Sequence, residues 1–179
     1  SIINRQAQSR VPELIPIRHA RMAQNPFAFF RGGAAIMAHD LGPLASPPIT
    51  VQLCGDMHVS NFGFFSTTER RLVFGINDFD ETLPGHFDWD LKRLAASAMI
   101  AAQMLGQSAS YGEEIIRHMC QSYRRNMRIY AHTPFTELAR SYIDEAAILA
   151  HMKTRKPSKS GSTFIKAQMK KAHNNTNEG

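Results

Sequence analysis

Residues 49–65 read ITVQLCGDMHVSNFGFF, residues 71–82 read RLVFGINDFDET, and residues 88–94 read DWDLKRL. Two apolar runs in this stretch end in acids. Residues 51–54 have the composition of a buried strand that stops at Gly55-Asp56, and residues 72–76 that of a strand that stops at Asn77-Asp78-Phe79-Asp80. Short β-rich runs bounded by Gly, Asn and Asp are the strand signal. Residues 61–65 add another strand, expected to pair with 72–76 across a turn at 66–70. An unpaired carboxylate is costly to bury, so acids at strand ends are exposed or functional.

The spacing of these acids carries more than their number. Asp56 and Asn61 fit D-x-x-x-x-N, the spacing of the protein-kinase catalytic loop. Asp78-Phe79 follows a strand, as the metal-binding Asp-Phe-Gly does in kinases. Phosphoryl transfer uses such groups: one carboxylate accepts the proton of the attacking hydroxyl, and an amide oxygen and a second carboxylate hold Mg²⁺ against the phosphates. A plainer reading stands beside this one, because Asp, Asn and Gly also cap ordinary turns after strands. D-x-x-x-x-N alone says little; its conjunction with Asp78 and with a helix opening near Asp90 favours the phosphate–metal reading. His58 could ligate a metal, orient the loop or be a satisfied core histidine, and the middle role is favoured over ligation because a metal site wants two or more nearby His or Cys. Asp80 and Glu81 read equally as a second metal group or as a solvated turn.

GDMHVSN (55–61) resembles the G-D-x-H-x-x-N loop of aminoglycoside phosphotransferases and related small-molecule kinases, with Cys54 where that motif often has His. INDFD (76–80) resembles their I-D-F-G or I-D-F-D segment, and DWDLKRLA (88–95) their D-L-A segment, whose Asp braces the catalytic loop. PFAFFRG (26–32), CGDMHVSNFG (54–63), NDFDET (77–82) and WDLKRLAAS (89–97) resemble the bacterial domain-of-unknown-function 2252 family, over residues 18–130. The resemblance implies Asp56 as the catalytic base with His58 supporting it, Asn61 and Asp78 as nucleotide and metal residues with Asp80 as a further metal ligand, and Asp90 as a brace. It also implies Mg²⁺ or Mn²⁺ and ATP as cofactors, with a small-molecule hydroxyl as acceptor.

The totals bound what else the chain can be. It has 179 residues, 43% hydrophobic and 20% charged, as a globular domain or one lobe of a larger one would. The net charge of +6 points first to nucleic acid. However, residues 1–151 hold 14 Lys and Arg against 14 Asp and Glu, while residues 152–179 hold 7 against one. The basicity belongs to the end of the chain, where Phe164 is the only aromatic residue among the lysines, so nucleic acid is disfavoured. No run of about 18 apolar residues and no signal-peptide pattern is present, so the expectation is a cytoplasmic protein without a membrane partner. Cys54 and Cys120 read as reduced core residues. The first residue is Ser, and the native start is expected upstream.

In chain order, residues 1–17 are expected to form an irregular lead-in with at most a short helix, and 18–23 a helix. Asn25 caps another helix, with Pro26 in its first turn, that runs to about Leu41; Gly32-Gly33 signals a break or close packing within it. Residues 41–48 and 80–87 read as loops. Asp88 or Asp90 caps a helix to about Leu105, buried through Leu91, Leu94, Ala95, Ala98, Met99 and Leu105 and ended by Gly106. A helix over 111–130 and another from Thr133-Pro134 follow, the latter buried through Phe135, Leu138, Tyr142, Ala146 and Leu149. Residues 152–179 read as a basic, polar, loosely ordered tail.

The resulting expectation is an α+β fold of the kinase large-lobe type. It is mostly helical, with short strands carrying the acidic loops in residues 1–151, and no nucleotide-covering small lobe is evident. A kinase also needs a glycine-rich loop and a strand Lys. Arg31-Gly32-Gly33 completes no such loop, and Lys92 is the only lysine before Lys153. Relatives in the resembled family are longer, so the chain is expected to be incomplete and to turn over ATP poorly by itself, with Arg31 or Lys92 as the groups able to clamp phosphate. The alternatives are a non-catalytic, pseudokinase-like binding module and a metal-dependent phosphoesterase. The last needs later G-N-H-type ligands that the sequence lacks.

Overall fold

Asn25 begins the most legible helix. Its side chain accepts from the Ala28 N–H at 2.8 Å, and Pro26 follows where its missing N–H costs nothing. In the computed structural model, which describes residues 1–155 and 159–176, this helix is α3, Pro26–Gly32. It follows α1 (Ile2–Ala7), a single turn at Pro12–Leu14 and α2 (Ile15–Met22), and precedes α4 (Ala34–Leu41). Residues 1–17, expected to be irregular, are thus largely helical. Gly33 separates α3 from α4, so the single helix expected to Leu41 is two. Gly32 is where α2 and α3 meet closely: a Cβ there would lie 2.6 Å from Cγ and Sδ of Met22.

The chain divides into two compact units, Ser1–Val59 with Asp78–Arg125, and Ser60–Asn77 with Asn126–Gly179. In the first, β1 (Thr50–Leu53) pairs antiparallel with β4 (Leu83–His86), in the register Thr50↔His86 and Leu53↔Leu83. β4 lies inside the loop expected over 80–87. Its Pro84 and Gly85 argue locally against a strand, yet in a two-stranded ribbon every strand is an edge and can carry a proline. Gly85 also makes room for β1, since a Cβ there would come 2.6 Å from Leu53 Cδ1. β1 is less buried than expected: Val51 is exposed, and only Leu53 and the following Cys54 are fully covered. Two helices complete this unit, α5 (Asp88–Met104) and the portion of α6 (Ala109–Tyr130) up to Arg125. Its buried apolar residues are Met22, Leu41, Leu53, Cys54, Ala98 and Ala102.

The second unit is built on a three-stranded antiparallel sheet, β2 (Phe62–Ser66), β3 (Leu72–Ile76) and β5 (Ile143–Asp144), ordered β2-β3-β5. The β2–β3 hairpin is the one expected, with Phe62↔Ile76 and Ser66↔Leu72 in register. Phe74 meets Phe62 and Phe64 across it, with ring centroids 6.2 and 5.3 Å apart. The helix expected from Thr133-Pro134 is instead α7 (Phe135–Leu138), then β5, then α8 (Glu145–Arg155). Phe135 and Tyr142, expected inside, are exposed.

The expectation of a loosely ordered tail also differs from what the described residues do. They continue α8 and form α9 (Lys159–Thr176), which packs on β2 and buries Met169. Residues 156–158 and 177–179 of that expectation lie outside the described residues. Ile165, Met169 and Ala172 fall at i, i+4 and i+7, one face of a helix. High charge around that stripe marks a solvated outer face, not an unfolded segment. The fold is mostly helical with small antiparallel sheets, an α+β architecture.

Candidate functional site

The site is built on the buried face of α5, where Ala98 is buried as expected, with Ala102 beside it, but three polar residues are buried too. Asp90, Arg93 and Ser97 are 9%, 3% and 0% exposed, while Leu91, Leu94, Ala95 and Met99 are only half-buried and Leu105 lies largely in solvent. Residues at i, i+3 and i+7 lie one above another on a helix, so three successive turns present a carboxylate, a guanidinium and a hydroxyl to residues 54–59. The Cys54 and Gly55 N–H groups donate to Asp90 Oδ2 and Oδ1 at 2.7 and 3.1 Å. Arg93 Nε donates to Asp56 Oδ1 at 2.6 Å. The Val59 N–H donates to Ser97 Oγ at 3.0 Å, and that hydroxyl donates in turn to the Leu94 carbonyl at 2.7 Å. Buried polar groups must be hydrogen-bonded to be tolerated, and here each one has a partner in the loop.

Asp90 therefore holds the loop, as the resemblance implies, but it does not cap α5. The capping position is Phe87, which makes no side-chain cap bond. Arg93 is the functional residue that the sequence reading missed. Besides Asp56 it binds the Phe30 carbonyl at 2.9 Å, and its guanidinium carbon lies 4.4 Å from the Phe30 ring centroid. It thus joins the Asp56 loop to the C-terminal end of α3, where the helix dipole favours a cation. A buried position three residues after Asp90 was its available signal.

Gly55 makes the turn into the loop possible. Its φ of +83° lies in the left-handed region, and a Cβ there would overlap the Glu81 carbonyl. His58 is buried at 4% exposure, edge-on to Phe27, with Nε2 3.6 Å from Asp56 Oδ2. Burial, with Arg31 and Arg93 adding to it and Asp56 opposing, holds its imidazole below the usual value. The ring is therefore neutral at pH 7, and its Nδ1 has no hydrogen-bond partner among the described residues. Cys54 Sγ lies 3.4 Å from the Asp78 carbonyl and ties the two acidic loops together. Burial raises this thiol, the nearby carboxylates of Asp90, Asp56 and Asp78 adding to it and a backbone hydrogen bond at Asp56 opposing, which disfavours the thiolate. Cys120, in contrast, is exposed on α6.

Asp78 ends the segment after β3. Its Oδ1 accepts from the Asp80 N–H at 3.0 Å, which folds 78–80 into a turn with both residues exposed. Asp56 and Asp78 line one cleft of about 1080 Å³ in the first unit. Asp56, His58, Asp78 and Asp80 all belong to that unit. Asn61 belongs to the second, where it is buried and its carbonyl accepts from the Asn77 N–H at 3.0 Å. Lys92 pairs with Asp88 at 2.7 Å and does not line the cleft. Among the described residues no three His, Cys, Asp or Glu side chains gather as a metal cluster, and no helix is long and apolar enough to cross a membrane. No curated protein and no solved structure shows significant similarity to the chain. A family model does match, over residues 10–179, a longer stretch than the motifs span. The chain belongs to the DUF2252 family, described as uncharacterized proteins conserved in bacteria.

Proposed function

We propose that this chain carries a kinase-like phosphotransferase site that uses a Mg²⁺ or Mn²⁺ nucleotide and acts on the hydroxyl of a small molecule. The observation that carries the reading is that Asp56 and Asp78 share one cleft while the Asp56 loop is fixed from beneath by Asp90, Arg93 and Ser97. Asp56 accepts the proton of the acceptor hydroxyl as its oxygen bonds to the terminal phosphorus and the bond to the nucleoside diphosphate breaks. Arg93 sets the direction of the Asp56 carboxylate, and neutral His58 walls its other side.

Asp78 suits a hard cation, and Asp80 lies beside it in the same turn. A site with few carboxylates fits Mg²⁺, which takes its remaining ligands from phosphates and water. The ion would neutralise charge on the transferring group.

A second reading, a nucleotide-binding module without turnover, is favoured by one observation: among the described residues no lysine lines the cleft. Calorimetry with Mn²⁺ and ATP on the wild type and Asp78→Asn, followed by ADP release in the wild type and Asp56→Ala, tests both. The expected result is binding that needs Asp78 and a slow ADP release that needs Asp56. Binding without any Asp56-dependent release supports the second reading. Nucleotide binding that is unchanged in Asp78→Asn overturns the phosphotransferase site.

A further inference from the structure

The cleft that holds Asp56 and Asp78 is also lined by Arg10, Arg18, Arg21 and Arg31, four cationic groups against two anionic ones. Arg18 and Arg21 are three residues apart on α2 and share a face. Arg31 sits in the last turn of α3. The two helices are locked together by Arg18, whose Nη2 donates to the Gly32 carbonyl at 2.7 Å, and by the close approach of Met22 to Gly32. This contact brings guanidinium groups from α2 and α3 to one opening, which Arg10 also lines.

Arg10, Arg21 and Arg31 are exposed and pair with no carboxylate among the described residues. Their mutual repulsion is felt within the cluster: burial and the charge of Arg10 lower Arg18 from its usual value, with Glu81 opposing. Arg31 is in turn felt at His58, two residues from Asp56. An anion in the cleft would relieve that repulsion. The guanidinium fork matches phosphate oxygens bidentately. The volume, near the upper end of the roughly 300–1,000 Å³ of small-molecule clefts, admits a chain of several phosphates. The two carboxylates on the same lining would repel a bare anion but suit one that brings a divalent cation.

We propose that Arg10, Arg18, Arg21 and Arg31 form a guanidinium clamp for the polyphosphate chain of the ligand that reaches Asp56 and Asp78. The clamp rests on the phosphotransferase reading only for the nucleotide as the source of that chain. It fills the role for which a kinase uses a lysine and a glycine-rich loop.

The test is calorimetry on the full chain at low salt, with inorganic tripolyphosphate and separately with ATP, each with and without Mg²⁺. The variants are Arg21→Ala/Arg31→Ala, Arg21→Lys/Arg31→Lys, and Arg117→Ala on α6 outside the cleft. Arg21 and Arg31 are exposed, so both double variants should fold, and their melting curves check this. The expected result is binding of tripolyphosphate that weakens about 10-fold or more in the double alanine variant, in keeping with loss of charge-assisted bonds. The lysine variant should recover it in part, because it keeps the charge without the fork, and Arg117→Ala should match the wild type. Tighter binding of ATP than of tripolyphosphate assigns the chain to a nucleotide; equal binding assigns the clamp to free polyphosphate. Absence of binding, or equal binding by wild type and double alanine variant, overturns the clamp. Arginine-dependent binding without Asp56-dependent ADP release keeps the clamp and removes the phosphotransferase reading. ADP release indifferent to the arginines does the reverse.

Discussion

Arg93 reaches Asp56 with its Nε–H at 2.6 Å although the two residues are 37 apart in the chain and Arg93 is 3% exposed. The same guanidinium binds the Phe30 carbonyl, so one side chain fixes α3, α5 and the Asp56 loop. Removing one partner of a buried ion pair costs about 3–5 kcal/mol, because the other charge is left uncompensated. Asp56 keeps 24% side-chain exposure and can hydrate in part, which places Arg93→Ala near the lower end, at about 3 kcal/mol. Arg93→Lys should lose less, since it keeps the charge but not the fork. Urea denaturation measures both; a loss below about 1 kcal/mol for the alanine variant, the scale of a surface pair, would show that the pair does not organise the unit.

Asp90 takes two backbone N–H groups on one carboxylate. Asp90→Asn keeps the shape, but its amide nitrogen is a donor facing a donor. Hydrogen bonds to charged groups contribute roughly 1.5–3 kcal/mol, and a destabilisation of that order is expected. Amide exchange at Cys54 and Gly55 should speed up more than exchange along β2. Unchanged protection of those two amides would contradict the bracing role.

Gly55→Ala should be worse tolerated than an alanine at Gly106, though both glycines have positive φ. Left-handed backbone strain alone costs on the order of 1–3 kcal/mol for a non-glycine residue. Nothing lies within 4 Å of the Cβ position at Gly106, whereas at Gly55 it overlaps the Glu81 carbonyl. A larger drop in melting temperature for Gly55→Ala than for Gly106→Ala is the expected order, and the reverse order would remove the steric account.

His58 makes stability depend on pH. Its folded-state value lies below the ordinary imidazole value, so below about pH 6.5 the unfolded chain takes up a proton more readily than the folded one. Its contribution is constant above that pH, is lost as pH falls through the ordinary value, and levels off below the folded value. His58→Gln should flatten the fall in unfolding free energy between pH 7.5 and 5.5 relative to wild type. Parallel curves for the two proteins would show that His58 is not the group responsible.

Met169 tests the helical end of the chain. It is 4% exposed on the face of α9 that meets β2, and truncating a buried methionine to alanine costs about 2–5 kcal/mol. Met169→Ala should speed tryptic cleavage at Lys166, Lys170 and Lys171. Rapid cleavage there in the wild type itself would restore the expectation of a loose tail.

Several elements are legible in the sequence alone because their causes are local. Asn25-Pro26 caps α3 through atoms within three residues, the β2–β3 hairpin follows from adjacent β-rich runs, and Gly106 stops α5 one residue past Leu105. The acids of the candidate site are legible too, as polar residues ending apolar strands. What tertiary structure alone decided is which distant groups those acids meet. Nothing within ten residues of Asp56 foretells Arg93, and Asp90, Arg93 and Ser97 can be buried on α5 because they are satisfied by a loop more than 30 residues away. β4 exists because pairing with β1 outweighs the poor strand propensity of Pro84 and Gly85. Arg18 and Arg21 read as charges on a short helix; the contact of Met22 with Gly32, which brings α2 against α3, makes them part of the wall of a cleft. Capping and turn formation are set by neighbours along the chain, whereas the partner of a buried charge and the walls of a cleft are set by packing between segments, which a single sequence does not spell out.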